Sequence, residues 1–349
     1  MRFGLNHCIF GTYFVQGPCM KPLITLFTAV ITVATVTAQL PEPTHKPVSG
    51  ARHPALSPDG KDLAFVYRGD IWTAKSSGGR ARLLTYHLAY DAYPVFSPDG
   101  KWIAFGSKRN GNWDIFAMPS EGGAPRQLTW HSGSEIPFGW SPSGQHITFS
   151  ARRDSPNYGI FTVNAGTFKT ELICMDYASM RYPRWSPDGN KMIYGRYGMP
   201  WYRPRYRGAA AAQIWLFDLK EKKRTKLLDG DQQFLFAQFM PDGKNILTVT
   251  TGEATPTLAY LNEDSSKFED NENRAPNLWL SDLKGKLRQL THFREDSVRY
   301  PTVAAKSGAI AFEHLDGLWL LKRASTKPIR IHLLVNVDEK RNSKEIQRK

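Results

Sequence analysis

A four-residue phrase recurs along the chain and constrains the fold more than any other feature. It reads Ser57-Pro58-Asp59-Gly60, Ser97-Pro98-Asp99-Gly100, Ser141-Pro142-Ser143-Gly144, Ser186-Pro187-Asp188-Gly189 and Met240-Pro241-Asp242-Gly243, with a degraded sixth copy at Ala305-Lys306-Ser307-Gly308. Each copy carries the chemistry of a reverse turn: proline sets φ at the first central position, Asp or Ser bonds to nearby backbone, and glycine accepts positive φ. Such a turn joins two antiparallel strands. Ahead of it lies a short extended run, as in Tyr93-Pro94-Val95-Phe96 and Tyr182-Pro183-Arg184-Trp185. After it comes an apolar-rich strand: Leu63-Ala64-Phe65, Ile103-Ala104-Phe105, Ile147-Thr148-Phe149, Met192-Ile193-Tyr194, Ile246-Leu247-Thr248 and Ile310-Ala311-Phe312. A third strand centres on Ile71-Trp72, Ile115-Phe116, Ile160-Phe161, Ile214-Trp215, Leu278-Trp279 and Leu318-Trp319, and a fourth on Leu83-Leu84-Thr85, Gln127-Leu128-Thr129, Leu227-Leu228 and Gln289-Leu290-Thr291.

The copies begin at residues 57, 97, 141, 186, 240 and 305, at spacings of 40, 44, 45, 54 and 65 residues. Six units of four short strands predict an all-β fold, a six-bladed β-propeller of four-stranded antiparallel blades. The first strand of blade one is expected within 51–56 and the last strand of blade six over Pro328 to Val335, each blade being contiguous chain with no borrowed strand.

The amino-terminal region reads differently. Pro22 to Ala38 is uncharged, follows Lys21 and precedes a polar, proline-rich stretch. That is the shape of a secretory signal, with Val36-Thr37-Ala38 as a cleavage site and Met20 as the natural start; an uncleaved anchor is the alternative. The expected organisation is therefore 1–38 as upstream extension plus signal peptide, 48–337 as the propeller and 338–349 as a polar tail. Either signal or anchor places the globular part outside the cytoplasm, periplasmic or secreted, touching a membrane only through that segment. Of the 3 cysteines, Cys8 and Cys19 fall upstream and Cys174 alone in the propeller, which excludes a disulfide scaffold. The formal charge of +14 loses only Arg2 and Lys21 on processing, and the excess is scattered through the repeats. Together with extracytoplasmic targeting, this argues against a nucleic-acid partner.

The second unit, residues 97–129, resembles the propeller repeat of TolB and of the tricorn-like serine peptidases. The segment Met199-Pro200-Trp201-Tyr202-Arg203-Pro204-Arg205-Tyr206-Arg207-Gly208 leading into Gln213-Ile214-Trp215 is similar to the amino-terminal six-bladed propeller of tricorn-type peptidases. So are Phe65 to Trp72 and Leu290-Thr291-His292-Phe293 leading to Arg299-Tyr300-Pro301. The resemblance spans about residues 48–337. It implies a non-catalytic module that gates or binds peptides for a serine-type peptidase domain. Larger relatives carry that domain beyond a PDZ-like module, and this chain is expected to be truncated before it. The alternative is an independent TolB-like periplasmic scaffold for other envelope proteins; TolB-type proteins place a small α/β domain before the propeller, whereas only about ten residues separate the expected cleavage site from the first strand here, which favours the tricorn-like reading. Archaeal relatives hold a substrate's carboxyl end with an Arg pair ahead of the third turn. Here Trp130 to Pro137 contains no Arg, so that role does not carry over.

Nothing in the sequence assembles a nucleophile, base and oxyanion donors: G-x-S-x-G, H-E-x-x-H and phosphate-loop patterns are missing. No catalytic residue, metal ligand or cofactor is expected. His87, His131 and His292 follow the Leu-Thr pair at nearly equivalent repeat positions, which marks them as loop residues; Trp72, Trp215, Trp279 and Trp319 share one third-strand position, which marks them as blade packing. Outside the repeat frame stand Trp201, Tyr202, Arg203, Arg205, Tyr206 and Arg207. Aromatics interleaved with arginines suit an interaction hot spot, with Arg able to grip carboxylates two-pronged; a structural plug over one propeller face is the competing reading. A second insertion, Thr251 to Pro276, reads as a solvated loop in blade five. The expected partner is a peptide or protein substrate or another envelope protein, with homo-oligomerisation compatible.

Overall fold

The computed structural model describes residues 45–153, 155–198, 203, 206, 208–230, 232–251, 275–324 and 326–336. The expected signal segment, the tail and most of the blade-five insertion lie outside them. Among the described residues all regular structure is β, and no helix is long and apolar enough to cross a membrane.

Six four-stranded antiparallel sheets follow one another along the chain, each built from consecutive turns of the repeat. The first contains Arg52–Leu56, Asp62–Tyr67, Asp70–Lys75 and Arg82–Leu83; the second Asp91–Phe96, Trp102–Ser107, Asp114–Pro119 and Arg126–Gln127. The third contains Glu135–Trp140, His146–Ala151, Gly159–Asn164 and Thr170–Cys174, a fourth strand that the repeat pattern left without a signature. The fourth holds Met180–Trp185, Lys191–Arg196, Gln213–Asp218 and Arg224–Leu228; the fifth Leu235–Phe239, Asn245–Thr250, Asn277–Asp282 and Leu287–Gln289; the sixth Arg299–Val303, Ile310–His314, Gly317–Leu321 and Ile329–Arg330. The register repeats as well. Phe65 faces Trp72, Phe105 faces Phe116, Phe149 faces Phe161, Tyr194 faces Trp215 and Phe312 faces Trp319 across the second and third strands. These cross-strand rings fill the space between successive sheets, with Phe65, Phe105, Phe149 and Phe312 fully buried.

The turn phrase does two jobs. Within a copy, Ser57 Oγ donates to Asp59 and accepts from the Asp62 amide, while Gly60 N–H returns to the Ser57 carbonyl at 2.8 Å. Between copies, each glycine packs on the preceding copy's proline. A Cβ at Gly100 would sit 3.4 Å from Pro58, at Gly144 3.8 Å from Pro98, at Gly189 3.8 Å from Pro142, at Gly243 3.9 Å from Pro187 and at Gly308 3.6 Å from Pro241. The series returns to its start. Gly60 lies against Ser307, and the Lys306 amide donates to the Pro58 carbonyl at 2.8 Å. The first and sixth sheets further share an apolar cluster containing Leu63, Phe65, Ala309, Ala311 and Leu320, and Arg52 pairs with Glu313 at 3.2 Å.

One expectation needs correction. Pro328 to Val335 is not a single strand: Ile329–Arg330 completes the sixth sheet, but Leu333–Val335 leaves it. It pairs antiparallel with Lys46–Pro47 and parallel with Gly79–Arg80 in a separate three-stranded sheet. Gly78 permits the approach: at φ 95° it lies so close to His332 that a Cβ would come 2.5 Å from that carbonyl oxygen.

Antiparallel pairing assigns every connection to one of two ends. The turn phrase and the third-to-fourth-strand hairpins occupy one end; the second-to-third-strand connections and the crossings between sheets occupy the other, called here the loop-bearing end.

Candidate functional site

Each sheet contributes its first strand to a common centre, and each of these strands is bulged at the same place. The pairing slips between Arg52 and Ala55, Ala92 and Val95, Pro137 and Gly139, Arg181 and Arg184, Leu235 and Gln238, and Arg299 and Thr302. At the bulge, His53, Tyr93, Tyr182, Phe236 and Tyr300 hold positive φ of 44–57°. That is an uncommon conformation for bulky residues, and it turns their rings inward. The third sheet solves the problem differently: Pro137 occupies the tyrosine position, cannot take positive φ, and Phe138 supplies the ring instead.

The inward rings touch in series. His53 lies 4.2 Å from Tyr93 and 4.6 Å from Tyr300, Tyr300 5.0 Å from Phe236, Phe236 4.7 Å from Tyr182, and Tyr182 5.2 Å from Phe138. They surround a cavity of about 50 Å³ that Arg184 also lines. That is room for a few waters or one small functional group, far below the ~300–1,000 Å³ of a drug-sized pocket. Burial raises the phenols of Tyr93, to about 12, and of Tyr182 and Tyr300, so all three stay protonated donors at neutral pH. Burial, aided by the neighbouring Arg52 charge, lowers the His53 imidazole to about 3, so it stays neutral. The centre thus offers hydroxyls, aromatic faces and one guanidinium, without a carboxylate among the lining residues.

The loop-bearing end has its own repeated chemistry. Asp91, fully buried, binds Arg109 at 2.7 Å; Glu135, fully buried, binds Arg153; Asp176 binds Arg196 at 3.0 Å. The Arg109 and Arg153 guanidiniums lie over the Phe105 and Phe149 rings, and Arg196 lies over Trp215. The threonine of the Leu-Thr pair accepts from the third strand's amide, Thr85 from Ile71, Thr129 from Ile115 and Thr291 from Leu278, each at 2.9 Å. His87 and His131 fold their own loops, Nδ1 accepting from the Ala89 and Gly133 amides. Asp114 is held up at about 6 by burial, with a smaller push from the Glu135 charge. Among the described residues no group of three or more His, Cys, Asp or Glu side chains converges as a metal site.

Above these ion pairs the surface turns apolar. Leu88 is fully exposed, and Tyr86, Trp130 and Tyr177 are 76%, 61% and 75% exposed. They sit on the crossings from the first to second, second to third and third to fourth sheets, at the loop-bearing end, although the Trp130 ring leans edge-on against Phe168 of the third sheet's turn-end hairpin. Exposed Arg68, Lys108, Arg152 and Arg181 stand at the same end. The fourth-sheet insertion, connecting Lys191–Arg196 to Gln213–Asp218, belongs there too. Of its candidate residues, Arg203 is exposed and Tyr206 half-buried; the Arg203 carbonyl accepts from Gln233 Nε2 at 2.6 Å and from the Tyr206 amide at 3.1 Å, which ties the insertion to the next crossing. Trp201, Tyr202, Arg205 and Arg207 lie outside the described residues. Nothing places Arg203 or Tyr206 in the central cavity, which is built instead by residues singled out only for their strand pattern. The signal that finds them is positional: an aromatic residue three to five positions ahead of each turn phrase, followed by proline at His53, Tyr93, Tyr182 and Tyr300.

Four-stranded antiparallel sheets that turn their first strands toward one aromatic centre define a β-propeller of the TolB and tricorn type. Residues 49–327 match the family described as the tricorn protease N-terminal beta propeller domain, and the chain belongs to that family. Among solved structures, tricorn protease superposes with a TM-score of 0.62 at 19% identity, covering 82% of this chain and 26% of its own. A protein assigned as TolB from Agrobacterium tumefaciens superposes at 0.55 with 22% identity, covering 69% of this chain and 80% of that one. TolB from Acinetobacter baumannii superposes at 0.55 with 20% identity, over 73% and 57% of the two chains. The chain thus spans about a quarter of the tricorn protease structure, and identities at this level establish the fold alone.

Proposed function

We propose that the chain forms a six-bladed propeller that acts outside the cytoplasm as a non-catalytic module binding a peptide or protein at its loop-bearing end. The observation that carries this reading is the concentration of the most exposed large apolar side chains, Tyr86, Leu88, Trp130 and Tyr177, on the crossings at one end; Trp102, Leu283 and Ile329 at the turn end are less exposed. Exposed apolar side chains grouped on one surface mark interaction sites, and aromatic residues dominate hot spots. The basic residues among them favour an acidic segment in the partner. The six-blade count is supported by the return contact of Gly60 with the sixth copy, and the extracytoplasmic setting by the apolar stretch Pro22 to Ala38. Binding is favoured over passage through the axis, because the inward rings touch in series around a cavity too small for a peptide backbone. The role within a larger peptidase, with residues of the insertion from Trp201 to Arg207 contacting the partner, is part of the same proposal.

The test is a displayed peptide library selected on the purified chain and on a Leu88→Ser, Trp130→Ala, Tyr177→Ala variant. Acidic, apolar-containing peptides are expected to bind the wild type and to lose at least about tenfold in affinity on the variant, with Tm unchanged. Equal binding by both proteins, or peptide turnover blocked by a serine-directed inhibitor, would overturn the proposal.

A further inference from the structure

The first-strand residue at which pairing resumes after the bulge is Ala55, Val95, Gly139, Arg184, Gln238 and Thr302 in the six sheets. Four of the six are small, so the repeat has no use for a long cation there. Two polar residues break the rule, and they are treated differently. Gln238 is satisfied on both sides of its amide: Nε2 donates to the Pro301 carbonyl at 2.7 Å and Oε1 accepts from the Val303 amide at 3.0 Å, which stitches the fifth sheet to the sixth. Among the described residues Arg184 has no hydrogen bond or ion pair; the side chain is part-buried, and its Nη1 is enclosed without a partner. Its polarised neighbour is the Phe138 ring, 5.8 Å away. Room for it comes from the adjacent sheet, where the equivalent residue is Gly139; a Cβ there would stand 3.6 Å from Arg184 Cδ and 3.9 Å from Nη1. Burial draws the guanidinium down to about 10, still charged at neutral pH.

A part-buried guanidinium with one enclosed, unpartnered nitrogen is costly, and it attracts an anion that fits beside that nitrogen. The space limits the choice. A cavity of about 50 Å³ holds a group the size of a carboxylate, and its walls are tyrosine, phenylalanine and proline with a neutral histidine. A phosphate dianion would need a second cation that the lining does not provide. We propose that the axial cavity is a carboxylate-binding site, anchored by Arg184 and walled by Tyr93, Phe138, Tyr182 and Tyr300. The carboxylate comes from a free small acid or from a peptide entering one mouth of the axis. This site is independent of the loop-bearing surface and stands or falls without it.

Thermal shift and calorimetric titration of the full chain with acetate, phenylacetate, methyl acetate and inorganic phosphate test the site, alongside Arg184→Gln and Arg184→Leu. The two carboxylates are expected to raise Tm in a saturable way, the neutral ester not at all. Both variants should bind at least about tenfold more weakly. Removing an unpaired buried charge should leave the ligand-free variants folded, and an unchanged circular-dichroism spectrum checks that. Matched short peptides ending in a free or an amidated carboxyl, and a third carrying an internal aspartate, separate the sources: tighter binding than acetate by any of them assigns a peptide, and none tighter assigns a free acid. Carboxylate shifts that persist in both variants would overturn the site, as would no saturable shift with either acid, or a phosphate response equal to theirs.

Discussion

At the turn end of the sheets, glycine packs on the proline of the preceding copy five times over, and serine side chains close the first, second and fourth turns internally. At the loop-bearing end, equivalent crossings carry Tyr86, Trp130 and Tyr177 exposed to solvent, over buried pairs of Asp91 with Arg109 and Glu135 with Arg153. One end is locked by contacts between copies, so its sequence must repeat. The other is anchored from beneath by ion pairs in the second, third and fourth sheets, which frees its outer residues to vary. Repetition therefore marks where the sheets hold one another, and departure from it marks where the surface is free to change.

The largest expected effect breaks the anchoring. Asp91→Ala strands Arg109, 15% exposed, without its counter-ion, and a loss of about 3–5 kcal/mol in urea unfolding is expected. A loss below about 1 kcal/mol would mean the loop-bearing end does not depend on its ion pairs. Next comes the turn end. Gly100→Ala, at φ 77° and facing Pro58, should cost about 1–2 kcal/mol in the same assay.

The smallest effect concerns pH. Asp114 is raised to about 6 in the folded chain against 3.8 when unfolded, so the folded state holds the extra proton between those values. Its contribution is complete below the unfolded value and lost as pH rises through about 6. The fifth sheet places Asn277 at the equivalent position, where its amide bonds the Ala275 and Phe293 carbonyls and accepts from the Phe293 amide. Asp114→Asn should accordingly raise stability by about 1 kcal/mol at pH 7 and flatten the fall between pH 4 and 6. A variant with an unchanged pH profile would remove Asp114 from the account.

The sheets were legible because turn, strand and aromatic register all repeat within 40 to 65 residues. Even the Leu-Thr pair, unexplained by propensity, has a local meaning once Thr85 and Thr129 are seen capping neighbouring strands. The fate of Pro328 to Val335 was not legible. Alternation cannot tell a strand that stays in its sheet from one that crosses to Lys46–Pro47, since partner choice is set by residues nearly three hundred positions away. Arg184 was hidden for the opposite reason. It sits inside a well-patterned strand, and only alignment of the copies against one another exposes a cation among Ala55, Val95 and Gly139. The insertion from Trp201 to Arg207 drew attention by its composition; the centre draws it by geometry, through bulges that turn single residues of six strands toward one point.

The small sheet that joins Lys46–Pro47, Leu333–Val335 and Gly79–Arg80 sets the two chain crossings of the module side by side, with Lys46 the direct partner of Val335. A module whose entry and exit strands are paired neighbours is a detachable part. It can be spliced into a surface loop of another protein, or its strands reordered to open elsewhere, without stretching a linker across the module. Evolution can move such a unit between architectures as a cassette, and an engineer can do the same by cutting at this one seam.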